Sequence, residues 1–259
     1  MSSVTKRISE IKQPKGGYIK PSQLEVKILD DGAILFDEEN LHPSIIGMAV
    51  DYLTRLSMGT SVDDAFSISL QGAMVASSFG MPDAMQMADE FLSDIKGIDD
   101  KSVVSACKLT TFDVWFRNMP AALTARTATD TNPDSYTIQN IQTMVKRSIA
   151  FWDEYGPITK DGFTFEPYGY TRTVDSGDGD FLTQDTLWDF KVSKSKPTNK
   201  HTLQLLMYWI MGQHSGKSEF KNITNIGIFN PRLNTAYTFP ISKVELATIE
   251  TIETEVICY

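Results

Sequence analysis

The sequence predicts an α/β fold, a mixed central β-sheet flanked by helices with a helical insertion, and three observations predict it. Apolar and β-branched runs bounded by Gly, Asp and Asn fall at 24–36, 178–191 and 223–241, the pattern of short strands joined by turns. Apolar residues recur at helical spacing over 136–155 and 201–211. Residues 60–150 are rich in Met and Ala at helical spacing, which reads as a helical insertion between the first helix and the main sheet. The chain has 259 residues and 41% hydrophobic content, enough for one large core. Residues 1–22, polar and punctuated by Pro14, Gly16, Gly17 and Pro21, read as a flexible arm. A single domain is expected from 23 to 259.

Taken in order, Leu24–Leu29 alternates, Asp31-Gly32 is a strong turn dipeptide and Ala33–Phe36 returns, so a first hairpin is expected. Pro43 suits the first turn of a helix running to Met58, with Gly59 at its end. Ser61 with Asp64 three residues on reads as a helix start leading into 65–78. Further helices are expected from Pro82 to about Lys96 and over Lys101–Asn118, then a polar loop at Thr124–Ser135. Tyr136–Tyr155 is the longest helical pattern and stops at Gly156-Pro157. Near the C-terminus, Ile223–Phe229 and Thr235–Ile241 read as strands around a Pro231–Asn234 turn, with Ser242 capping a last helix.

The chemistry gathers between Ser176 and Met211. Two short runs around Gln184-Asp185-Thr186 form a second hairpin, with Asp180 in its first strand and Asp189 and Lys191 in its second. Side chains alternate along a strand, so Asp189 and Lys191 share a face. Two carboxylates on adjacent strands suit a hard cation such as Mg²⁺, which takes oxygen ligands and keeps waters for chemistry. A lysine beside them can orient an attacking water and stabilise charge on a phosphate. The helix that follows stacks Gln204 and Tyr208, four residues apart, on one side.

Gly179-Asp180, then Asp189-Phe190-Lys191, then Gln204 and Tyr208 together resemble the PD-(D/E)xK nuclease superfamily, in its RecB-like and Cas4-like branch. The resemblance implies a restriction-endonuclease-like core and a Mg²⁺- or Mn²⁺-dependent nuclease, exonuclease-like, working in DNA processing, repair or a phage or defence context. It implies that Asp180, Asp189 and the Phe190 carbonyl hold the metal, that Lys191 is catalytic, and that Gln204 and Tyr208 face the substrate strand. Gly179 stands where the superfamily name has Pro. Gly47-Met-Ala-Val-Asp51 is similar to a RecB-like helix whose His or acid adds a metal ligand; Asp51 takes that position, and Glu154 is its rival.

Charge and composition set the partners. The net charge is −9, unfavourable for holding nucleic acid by overall attraction. Yet Lys191, Lys194, Lys196, Lys200, Lys217 and Lys221 face only Glu219 between 190 and 221, so Lys194, Lys196 and Lys200 form either a phosphate-tracking edge or an ordinary solvated loop. His201 opens the Gln204/Tyr208 helix and either caps it or contacts a phosphate. DNA is the expected partner, with RNA, a protein partner and self-association left open. A catalytically silent nucleic-acid-binding or assembly protein is the alternative.

Cys107 and Cys258 are the only cysteines. They exclude a disulfide scaffold and the iron–sulfur cluster that Cas4-like nucleases often carry. No P-loop and no Gly-x-Ser-x-Gly elbow occurs, and His42, His201 and His214 make no metal-binding pair. The chain shows no membrane-spanning run and no signal-type N-terminus, so a cytoplasmic location is expected.

Overall fold

The computed structural model describes residues 2–259. In chain order it begins with β1 (Ser2–Ser3), α1 (Val4–Glu10), β2 (Glu25–Ile28), α2 (Pro43–Ser57) and α3 (Val62–Ala65). The helices α4 (Ser67–Ser78), α5 (Ala84–Asp94), α6 (Asp100–Leu109), α7 (Asp113–Arg117), α8 (Met119–Ala122) and α9 (Ser135–Tyr155) follow. The chain then builds β3 (Lys160–Thr164), β4 (Val174–Ser176), β5 (Asp178–Leu182), β6 (Thr186–Phe190) and α10 (Asn199–His214). It closes with β7 (Asn225–Asn230), β8 (Thr235–Pro240) and α11 (Leu246–Thr251).

These elements form two compact units, one of residues up to Leu29 with Phe151–Tyr259, the other Asp30–Ala150. The first is a mixed α/β unit whose six-stranded sheet has the order β2-β8-β7-β6-β5-β3. All neighbours are antiparallel except β6 and β7, which run parallel. A parallel pair needs a crossover, and α10 supplies it.

Alternation decides what each face carries. Leu182, Leu187, Ile226 and Ile228 join Leu203, Leu206, Met207 and Ile210 of α10 in one core cluster. The alternate residues Phe181, Trp188 and Phe229 pack with Phe151 and Trp152 of α9 on the other side. A slip of one residue would exchange the two faces, so burial on both sides fixes the register. Asp180 and Asp189 share the parity of Leu182 and Leu187, and they therefore lie on the α10 face.

The second unit is helical and contains α2, which the sequence reading placed ahead of the insertion at 60–150. Tyr52 of α2 and Ser69 of α4 both donate to the buried carboxylate of Asp113. Burial pushes that carboxyl up in pKa, against the pull of its two hydrogen bonds and of Arg117. The helix read over 65–78 is interrupted at Phe66, which ends α3 before α4 begins. The one read over 101–118 is divided by a 3-10 turn at Thr110–Phe112.

Three expectations are corrected. The hairpin at 24–36 does not form, because β2 pairs with β8 instead. The segment after the turn is claimed elsewhere: Arg147 holds Asp31 at 2.7 Å and the Ala33 carbonyl at 2.7 Å, and Asn140 exchanges hydrogen bonds with the Phe36 backbone. The flexible arm expected at 1–22 is corrected over its described residues, 2–22: β1 pairs with β4, and α1 buries Val4 and Ile8 in the sheet unit's core. Two apolar residues one turn apart carry that packing, too short a pattern to stand out from its polar neighbours. Ser242 lies in a 3-10 turn, and Glu245 occupies the N-cap of α11. Among the described residues no helix is long and apolar enough to cross a membrane.

Candidate active site

The site is built where β5 and β6 end on the α10 face. The β5/β6 register pairs Phe181 with Trp188 and Leu182 with Leu187, which aligns Asp180 with Asp189 one step further on. Instead of continuing the ladder there, Asp180 accepts a hydrogen bond from the Phe190 amide at 2.7 Å through Oδ2. Its carboxylate thus ties the two strand ends together. Lys191 continues the other side of β6, its amide donating to the Phe229 carbonyl at 2.9 Å, and its side chain returns to the face of Asp189.

Asp189 is only 3% exposed. Its Oδ1 accepts from Lys191 Nζ at 2.9 Å, while its Oδ2 is buried with no hydrogen-bond partner. A carboxylate oxygen in that state costs about 1–3 kcal/mol unless something satisfies it, and in native proteins such an atom calls for a water or an ion. Burial by itself lowers the pKa of Lys191, but the carboxylates of Asp189, Asp180 and Asp178 outweigh it and raise it. The ammonium therefore stays charged at neutral pH.

From α10, Gln204 and Tyr208 face this pair. Gln204 Nε2 donates to Tyr208 Oη at 3.0 Å. Burial, then the negative charge of Asp189, raises the Tyr208 pKa, so the phenol keeps its proton and remains a donor. His201 stands one turn earlier on the same stripe. Its Nδ1 accepts from the Thr198 amide at 3.1 Å, which caps α10, and burial followed by the Lys191 charge lowers its pKa.

The structure thus brings Asp180, Asp189, Phe190, Lys191, His201, Gln204 and Tyr208 into one neighbourhood. Lys194 and Lys196 are exposed on the connection between β6 and α10, and Lys200 is exposed in the first turn of α10. Asn230 pins the start of that connection by donating to the Ser193 carbonyl at 2.8 Å. Asp51 belongs to the helical unit, where its Oδ1 accepts from Arg55 Nε at 3.1 Å. Glu154 is not brought to this face: it pairs with Lys27 from α9, whose Phe151 and Trp152 cover the opposite side of the sheet.

Two features of the site go beyond the sequence pattern: the charge of Asp178 and the packing at Gly179. Asp178 lies two residues before Asp180 and acts on both Lys191 and Tyr208 through its charge; the period of two already present in the Gly177–Asp180 run signals it. Gly179 is the other. A Cβ built there would lie 2.0 Å from the Phe163 ring, so no larger residue, proline included, fits behind Asp180 without displacing Phe163. Gly179→Ala should destabilise the protein by about 1–3 kcal/mol through overpacking, read as a lowered midpoint in urea unfolding.

Comparison with family models, curated proteins and solved structures finds no match to this chain. What the site can do is therefore read from its own residues. Among the described residues no group of three or more His, Cys, Asp or Glu is placed to hold a metal ion. The donor set is two carboxylates, one of them with an orphaned buried oxygen. That suits Mg²⁺, which uses one or two carboxylates and completes its shell with waters and substrate phosphate.

Proposed function

We propose that the protein is a divalent-metal-dependent phosphodiesterase that hydrolyses DNA, with Mg²⁺ or Mn²⁺ as its cation. The observation that carries this reading is the buried, unpartnered Oδ2 of Asp189, opposite Asp180 and beside Lys191. Asp180 and Asp189 would hold the cation, with the Phe190 carbonyl as a further oxygen. Exonuclease-like action and a role in DNA processing, repair or defence are implied by the resemblance to RecB-like nucleases alone. When bound, the cation polarises the phosphoryl oxygen and acidifies water.

The chain's own groups divide the remaining work. Lys191, kept protonated by the carboxylates around it, orients the attacking water and donates to the charge that develops on the phosphate. Tyr208 donates its phenolic proton to a phosphate oxygen or offers its ring to a sugar or base. Gln204 fixes the Tyr208 oxygen by the hydrogen bond it donates. Asp180 holds the Phe190 backbone in place, so the geometry exists before substrate arrives.

Substrate engagement is local rather than global, because the chain's net charge is −9. The exposed Lys194, Lys196 and Lys200 are the phosphate contacts in this reading. Replacing all three with Gln should weaken DNA binding and flatten its log–log salt dependence by about 0.7–0.9 per lost contact. Equal slopes for variant and wild type would make the segment an ordinary solvated loop. The activity itself is tested by incubating labelled DNA with and without Mg²⁺: cation-dependent cleavage supports the reading, and intact DNA beside folded protein ends it.

A further inference from the structure

We propose that His201 is a neutral hydrogen-bond donor, fixed in one tautomer by the cap of α10, that positions a substrate phosphate beside Lys191. The inference rests on the phosphodiesterase reading and assigns this residue its chemistry within it. The sequence leaves capping and phosphate contact as alternatives for His201. The geometry makes them compatible, because they use different nitrogens.

The Thr198 amide can only donate, so the Nδ1 that meets it at 3.1 Å must accept and carries no proton. In a neutral imidazole the proton then sits on Nε2, which becomes an obligate donor. No group of the protein bonds to that nitrogen among the described residues. The alternative state, an imidazolium, would have to place a proton on Nδ1 against an amide N–H. The half-buried ring and the neighbouring Lys191 ammonium disfavour the same charge.

Position supports the role. His201, Gln204 and Tyr208 are related by i, i+3 and i+7, one stripe of α10, on a helix whose other buried residues are apolar or Gly except Thr202, which donates to the Ile19 carbonyl. Tyr208 stands at the Asp178 end, where a Cβ on Gly177 would lie 3.7 Å from its ring. His201 stands at the Lys191 end, where the charges of both Lys191 and Asp189 reach it. The two residues therefore bracket the Asp189–Lys191 pair along the helix. A neutral donor suits this place: it can hold an anionic phosphate without adding a positive charge that would repel a divalent cation.

Two measurements test the proposal. Long-range ¹H–¹⁵N NMR of the histidine rings at neutral pH should show His201 with its proton on Nε2 alone; a proton on Nδ1, in either the other tautomer or the imidazolium, would overturn the assignment. His201→Asn keeps an acceptor at the Nδ1 position, and hence the cap, but removes the Nε2 donor. Its melting temperature should match wild type while Mg²⁺-dependent cleavage of a DNA oligonucleotide falls about 10- to 100-fold. His201→Gln, which restores a donor near Nε2, should recover part of that loss. If wild type cleaves and His201→Asn cleaves equally well, the donor role is wrong and the phosphodiesterase reading stands. If folded wild type cleaves nothing in Mg²⁺ or Mn²⁺, both fall.

Discussion

Replacing Lys191 with alanine should lower metal-dependent DNA cleavage by about 10²–10⁴-fold, the range for losing a positioned proton-transfer or charge-stabilising group. The same variant should also be less stable than a surface substitution would be. Lys191 is the partner of a carboxylate whose side chain is 4% exposed, and its removal leaves that charge buried and uncompensated. Breaking a buried pair costs about 3–5 kcal/mol; Lys191 keeps 28% of its side chain in solvent, which reduces the expected cost to about 1–3 kcal/mol.

The double variant Asp189→Asn/Lys191→Met separates the two effects. Removing both charges should recover most of the stability and none of the activity. The pH dependence has a definite sign. The folded Lys191 pKa is raised above its ordinary 10.5, so the pair's contribution is complete below that value and is lost only as pH climbs through the higher folded one. The stability difference between wild type and Lys191→Met should accordingly stay flat through neutral pH and shrink only in strong alkali. A difference already shrinking below pH 9 would contradict the ion pair.

Asp189→Asn should abolish the protein's response to divalent cation. A ligand that binds only the folded state at a hundredfold excess over its Kd adds about 2.7 kcal/mol, or roughly 5–10 °C in Tm for a domain of this size. Wild type should show such a rise in Mg²⁺ or Mn²⁺ and no rise in K⁺ at equal ionic strength. Asp189→Asn should show none and should not cleave DNA. An undiminished cation shift in the variant would move the binding site elsewhere in the molecule.

The parts of this molecule legible in its sequence are those where one periodicity dominates. The β5/β6 hairpin was readable because buried Phe181, Leu182, Leu187 and Trp188 alternate between two packed faces, and α9 and α10 because their apolar spacing runs for several turns. The hairpin at 24–36 failed for a tertiary reason. Its turn residues Asp30 and Asp31 do bond to the Gly32 and Ala33 amides as a turn requires, but Arg147 and Asn140 lie more than a hundred residues away and take the returning segment.

The site shows the same division. Asp180, Asp189 and Lys191 follow from strand parity. The ion pair between Asp189 and Lys191, the bond from the Phe190 amide to Asp180, and the seating of Gly179 under Phe163 depend on packing that no local pattern encodes. Glu154 shows how spacing alone misleads, since an acid near the end of a long helix is expected equally at a metal site and in an ion pair with Lys27.

The measurement that bears most directly on the central claim is cleavage of two DNA substrates, one linear and end-labelled, one closed circular, by wild type and Lys191→Ala in Mg²⁺ and in EDTA. The expected result is degradation of linear DNA by wild type only when the cation is present, and its loss in Lys191→Ala, with sparing of the circle if the action is exonuclease-like. Folded wild-type protein that leaves both substrates intact in Mg²⁺ and Mn²⁺, or a Lys191→Ala variant that cleaves as fast as wild type, would contradict a hydrolytic site at Asp180, Asp189 and Lys191.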